Sequence, residues 1–159
     1  MQQLRTAGPY ILIVLIVFAV SAIGGSFTGG GMEWYRTLNL PSFTPPGSVI
    51  GIVWTVIYTL GAIAASLLWR SRASIPRFNL IITLLVINAV LNTLWSLVFF
   101  TLHLLGWAII EMTVLNLTTL ALIVLTWQHQ RIAAILLLPY FAWVSFATYL
   151  AYTIWRLNG

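Results

Sequence analysis

Three tryptophans, Trp54, Trp95 and Trp143, stand about two turns or more inside long apolar stretches, where an indole N–H needs a partner. Beside Trp95, the residues Asn88, Asn92 and Ser96 recur every four positions and so share one helical stripe. An amide facing hydrocarbon is costly, which turns the stripe inward. Two readings stay open: the amides hydrogen-bond neighbouring helices, or they orient something bound. Tyr140, Trp143, Ala147, Leu150 and Ile154 lie along a face of the last apolar stretch, with Trp54 and Tyr58 arranged in the same manner on an earlier one. Glu111, about one and a half turns into its own stretch, is a functional candidate as an intramembrane carboxylate, although from there it can also reach water.

These groups can hold a ligand, but they do not form a conventional reaction centre. There is no Ser/His/acid set, no pair of carboxylates and no phosphate-cradling glycine loop. No metal site is expected, because the chain has no Cys and its two histidines, His103 and His129, sit in short connections away from the core. Any chemistry must come from the ligand itself.

The elements that position these residues follow from composition. Of 159 residues 61% are hydrophobic and 6% are charged, against about a quarter charged in soluble domains. Lipid is the solvent for most of this chain. A bilayer's hydrocarbon core takes about 20 helical residues, and five apolar runs of that order appear, at about 9–27, 48–69, 78–101, 106–127 and 133–155. The expected architecture is an all-α, five-transmembrane-helix bundle forming one membrane domain over 1–159. Short connections from the second helix onward predict that each helix lies beside its successor. Arg5 followed by an apolar run and Ser21–Gly25 also fits a cleavable signal peptide, but the run is longer than a usual signal core, and removal would leave four helices.

The first connection differs from the rest. Residues 28–47 carry Trp34, Tyr35, Phe43 and three prolines, which stop a continuous helix and call for apolar contact with a polar edge. The segment is expected to fold over one end of the bundle, the alternative being an unstructured interfacial loop. Arg5, Arg70, Arg72, Arg77 and Arg131 fall on one side of a five-span arrangement, and Arg36 and Arg156 on the other. That asymmetry puts the N-terminus in the cytoplasm and the long loop outside, in what is expected to be a bacterial cell membrane. The arginines are dispersed between spans, so they read as topology signals and imply no nucleic-acid partner. Gly47, Gly51, Thr55 and Thr59 make a small-residue stripe suited either to close packing within the bundle or to a homodimer seam.

Trp34-Tyr35, Leu38, Pro41, Phe43 and Pro45-Pro46, then Trp54 and Tyr58, Asn92-Thr93-Leu94-Trp95 with Phe99-Phe100, and Pro139 to Trp143 with Phe146-Ala147 together resemble the translocator protein family. Its members are also called tryptophan-rich sensory proteins or peripheral-type benzodiazepine receptors. The match runs over nearly the whole chain. The resemblance implies a five-helix bundle, often dimeric, whose pocket is closed by the first loop and binds tetrapyrroles such as protoporphyrin IX and benzodiazepine- or isoquinoline-type ligands. It implies pocket positions at Tyr35, Pro45, Trp54, Tyr58, Asn92, Trp95, Trp143, Ala147 and Leu150, to which the stripe reading adds Asn88. No cofactor is required; the tetrapyrrole enters as a ligand. The alternative roles are light- and oxygen-dependent porphyrin degradation, with Trp54 and Trp143 as the photochemical residues, sterol or lipid transfer, and a regulatory scaffold whose partner reads the ligand state. The chain departs from the family at Leu40, where many members carry a basic residue, and at Ala151, where many carry Asn.

Overall fold

A computed structural model describes residues 2–159, with side chains from Ala7 onward, so the Arg5 side chain in the charge count lies outside the described residues. The elements are α1 (Gln2–Gly30), α2 (Met32–Tyr35), α3 (Gly47–Arg70), α4 (Phe78–Ser96), α5 (Leu105–Trp127) and α6 (Arg131–Asn158). A 3-10 turn at Arg72–Ser74 precedes α4 and a π turn at Leu97–Thr101 ends it; no strand forms among the described residues. Five segments are long and apolar enough to cross a membrane, namely Ala7–Gly30, Gly47–Arg70, Phe78–Thr101, Leu105–Trp127 and Arg131–Asn158. The shortest has 23 residues and spans about 35 Å, enough for a hydrocarbon core of about 30 Å. The protein is an all-α, multi-pass integral membrane protein.

Two helices run further than the sequence suggests. The first begins before Pro9 instead of at it and continues past Phe27, since a membrane helix tolerates an internal proline. The last passes through Pro139 and on to Asn158. The segment after α1 is not structureless either, because Met32–Tyr35 forms a helical turn.

The helices close a ring in which α1 packs on α3 and α4, α3 on α6, α6 on α5, and α5 on α4. This corrects one expectation. The pairs α4/α5 and α5/α6 are sequential neighbours, but α1 stands between α3 and α4. Gly24 lies at that contact, where a Cβ would stand 3.4 Å from the Ser96 Oγ on α4, an ordinary packing distance. The connection between α3 and α4, with its 3-10 turn, steps across instead of folding α4 back onto α3.

The two ends of the ring are built differently. At the end holding the connections 71–77 and 128–130, Ala64, Leu68, Ile75, Ile81, Leu122, Ala133, Ala134 and Leu137 form a close apolar core. At the opposite end Phe99, Phe100, Ala108, Met112, Leu150, Ala151 and Ile154 form a second core, with Trp34, Tyr35, Leu38 and Trp95 packed against it. The π turn serves this second core. Its wider winding, marked by the 2.9 Å bond from the Leu102 amide to the Leu97 carbonyl, buries the successive residues Phe99 and Phe100 together.

The segment between α1 and α3 lies over this second end. A Cβ on Gly31 would collide with the Phe100 carbonyl, so only glycine allows the chain to pass there. Trp34 stacks flat on His103, with ring centroids 3.9 Å apart, and Phe43 stacks on Tyr149 at 5.6 Å. Asn158 closes the contact through its side chain. Its Oδ1 accepts from the Asn39 amide at 2.8 Å, and its Nδ2 donates to the Asn39 carbonyl at 3.0 Å.

Candidate functional site

Most of the residues singled out by sequence fall into three groups in the half of the bundle beneath this segment. At the centre, the Tyr58 hydroxyl of α3 donates to the Asn92 Oδ1 of α4 at 2.6 Å. Asn92 Nδ2 in turn donates to the Tyr140 hydroxyl of α6 at 2.9 Å. Trp54 stacks on Tyr58 at 5.5 Å and meets Tyr140 edge-on at 6.2 Å. Three helices that are not all neighbours in the ring are thereby joined through one amide. Asn92 is only 5% exposed, so both bonds lie in an environment without competing water, where they are strongest.

Nearer the end, Tyr35, Trp95, Ala147 and Leu150 gather around Phe99 and Phe100. Trp95 lies 5.6 Å from each of these two phenyl rings. Burial pushes the Tyr35 phenol above its ordinary pKa, so it remains a neutral donor across the physiological range. Pro45 belongs to the extended approach to α3, one residue before the N-cap Pro46.

Trp143 faces a third region, a cavity of about 370 Å³ at the seam of α3 and α6, lined by Ile52, Val53, Val56, Ile57, Pro139, Ala142 and Phe146 along with it. Its size lies at the small end of ligand pockets, and its walls are almost wholly apolar. The structure thus brings Trp54, Tyr58 and Asn92 together and Tyr35, Trp95, Ala147 and Leu150 together, with Trp143 on the side facing the seam.

Asn88 belongs to none of these groups. Its Nδ2 donates to the hydroxyls of Thr118 and Thr119 at 2.9 Å each, with the Leu115 carbonyl at 3.4 Å. Its donors are committed to α5, so of the two readings of the stripe, interhelical bonding accounts for Asn88.

Several polar atoms are buried with no hydrogen-bond partner among the described residues: the indole nitrogens of Trp95 and Trp143, both carboxyl oxygens of Glu111, and Asn116 Oδ1. Buried polar groups are paired in the great majority of cases, and an unpaired one costs about 1–3 kcal/mol. The same amide of Asn116 donates to Ser145 at 2.7 Å, so only its oxygen is left over. On α3, Gly51, Thr55 and Thr59 face outward, and a Cβ on Gly51 would meet nothing within 4 Å. Close packing inside the bundle therefore does not explain that part of the stripe.

Sequence reasoning undervalued Tyr140, which proves to be the far anchor of the central amide, and missed the Asn39–Asn158 clasp. Tyr140 was visible as a polar aromatic at the Pro139 turn of an inward face. Nothing local signals a pairing across 119 positions.

A model of the TspO/MBR family matches residues 12–156. The chain is 35% identical over 148 residues to the tryptophan-rich protein TspO of Bacillus cereus, covering 93% of this chain and 95% of that one. It is 33% identical over 138 residues to the human translocator protein, covering 86% and 82%, and 31% identical over 137 residues to the protein CrtK of Rhodobacter capsulatus, covering 86% and 84%. With a family match over nearly its whole length and relatives above 30% identity from bacteria to human, this chain belongs to the TspO/MBR family of membrane proteins.

Proposed function

We propose that the protein is a membrane receptor or carrier that holds a tetrapyrrole such as protoporphyrin IX, or a benzodiazepine- or isoquinoline-type ligand, within the half of the bundle covered by the segment from Gly31 to Pro46. The observation that carries this reading is the pair of buried indole N–H groups on Trp95 and Trp143 that have no partner among the described residues, set among other aromatic rings. A flat apolar macrocycle with ring nitrogens and carboxylates supplies both the stacking surface and the acceptors. Tyr35, Pro45, Trp54, Tyr58, Asn92, Ala147 and Leu150 complete the proposed contact set, and Asn88 acts by fixing α4 to α5. The names of the relatives support a translocator-type role at the level of the family. The outward Gly51, Thr55 and Thr59 face supports assembly as a homodimer through α3. The arginine distribution supports a cytoplasmic N-terminus.

The test is a titration of purified protein with protoporphyrin IX in the dark, following tryptophan quenching and the porphyrin absorption band. Saturable binding that weakens in Trp95→Phe and Trp143→Phe is expected; the absence of saturation would refute the proposal. Illuminating the same samples separates binding from breakdown, and competition by a sterol separates a tetrapyrrole carrier from a sterol carrier.

A further inference from the structure

The end of the bundle opposite the covered half carries Arg70, Arg72, Arg77 and Arg131 on its connections and helix ends. Both acids of the chain, Glu33 and Glu111, lie toward the other end, so no carboxylate offsets these four charges. Two of the arginines are tied down by tryptophans at the end of the preceding helix. The Arg72 guanidinium sits 4.8 Å over the Trp69 ring and donates to the Trp69 carbonyl at 2.9 Å, while Arg131 sits 5.1 Å over Trp127. Tryptophans at helix ends mark the level of the lipid headgroups, and the arginines are held at that level.

Arg77 is arranged differently. It borders a cavity of about 240 Å³ between the start of α4 and the end of α5, lined also by Pro76, Leu80, Ile81, Leu125 and His129. Neither the Arg77 guanidinium nor the His129 imidazole has a hydrogen-bond partner among the described residues. The rim is thus a cation and an imidazole, and the floor is leucine and isoleucine. Arg77 also precedes the first turn of α4 without a side-chain cap, so free backbone N–H groups and the positive end of the helix dipole lie beside it.

We propose that this cavity binds the phosphate of an anionic glycerophospholipid of the surrounding leaflet, with Arg77 and His129 on the phosphodiester and an acyl chain against Leu80 and Leu125. A lipid fits better than a free anion because the charged rim opens onto an apolar floor at headgroup depth. Basic pockets between membrane helices take anionic headgroups by this combination.

The test is native mass spectrometry of the full chain released from detergent micelles, titrated with phosphatidylglycerol or with phosphatidylcholine of the same acyl chains. Phosphatidylglycerol should be retained preferentially. Arg77→Asn should weaken its retention about fivefold, the share of one basic residue near a membrane surface. Asparagine is chosen because it accepts the positive φ of 57° at this position. His129→Gln provides a second reading away from that backbone and should weaken retention in the same direction, whereas Arg72→Gln should leave it within about twofold. Equal retention of the two lipids would overturn the proposal. Equal losses in Arg72→Gln and Arg77→Asn would also overturn it, since that is the behaviour of diffuse charge, as would full displacement of the lipid by inorganic phosphate.

Discussion

Replacing Asn92 by leucine removes both bonds of the central amide while keeping the number and branching of its side-chain heavy atoms, so the change tests the polar link with little change of shape. Interhelical hydrogen bonds in membrane proteins average about 0.6 kcal/mol and reach about 1.7 kcal/mol. With donor–acceptor distances of 2.6 and 2.9 Å, the two bonds together should contribute about 1.2 kcal/mol, with an upper bound of about 3.4 kcal/mol. The cleaner quantity is the coupling in a double-mutant cycle of Asn92→Leu with Tyr58→Phe, which isolates one bond and should fall between about 0.6 and 1.7 kcal/mol. Reversible unfolding in mixed micelles, driven by the fraction of denaturing detergent, measures it. The control cycle pairs Asn88→Leu with Tyr58→Phe and should couple by less than about 0.3 kcal/mol, since Asn88 is bound to Thr118 and Thr119 and not to α3. Porphyrin affinity should fall in Asn92→Leu and remain unchanged in Asn88→Leu molecules that fold. A coupling near zero for Asn92 and Tyr58, or an equally large one for Asn88 and Tyr58, would refute the assignment of the two amides.

Protease or labelling probes should find the 28–47 segment and the C-terminus together on the non-cytoplasmic side, because Asn158 holds Asn39 at 2.8 Å; exposure of the Arg70–Arg77 connection on that side would reverse the topology. Free-base protoporphyrin should bind comparably to haem, since His103 is stacked under Trp34 and His129 lies at the opposite end. Loss of haem binding alone in His103→Ala or His129→Ala would contradict this. Any loss of the porphyrin band should need both light and oxygen and should slow in Trp54→Phe and Trp143→Phe variants that still bind, because an indole against the macrocycle is a readily oxidised side chain and phenylalanine is not. Breakdown in the dark, or at full rate in the double variant, would leave these tryptophans as contact residues only.

The five spans were legible because lipid imposes a length and a composition that short-range pattern reports directly. The inward stripe was legible for the related reason that an amide on the lipid face is too costly, and Asn88, Asn92 and Ser96 are all buried. The ring order was not legible. Loop length limits how far two helices can separate, but it does not say whether a third helix enters between them, and α1 packs on α3 and α4 through contacts that are not local in sequence. The different fates of Asn88 and Asn92 were hidden as well. Both sit on one stripe, and only the identity of the helix opposite each, with threonines on α5 for one and tyrosines on α3 and α6 for the other, separates a clasp from a candidate contact.

The distribution of satisfied and unsatisfied groups across the ring has a physical logic. At the end with the close apolar core, the buried Thr126 hydroxyl donates to the Leu122 carbonyl at 2.7 Å, and the half-buried Gln130 donates to Ser71 at 2.9 Å. From mid-span to the covered end, Trp95, Asn116 and Trp143 each leave one buried polar atom, and Glu111 two, without a hydrogen-bond partner among the described residues. At a lower bound of about 1 kcal/mol per residue, these side chains together forgo about 4 kcal/mol, a large part of the stability of a typical domain. Apolar replacements at these positions would recover much of that. Their retention on the same side of the bundle as the covering segment is what a site for an exogenous partner requires, because a ligand that satisfies these atoms gains the free energy the folded protein alone leaves unrealised. The stabilisation should therefore be specific in its distribution. A bound porphyrin should raise the unfolding midpoint of the native chain more than that of a Trp95→Phe, Trp143→Phe double variant.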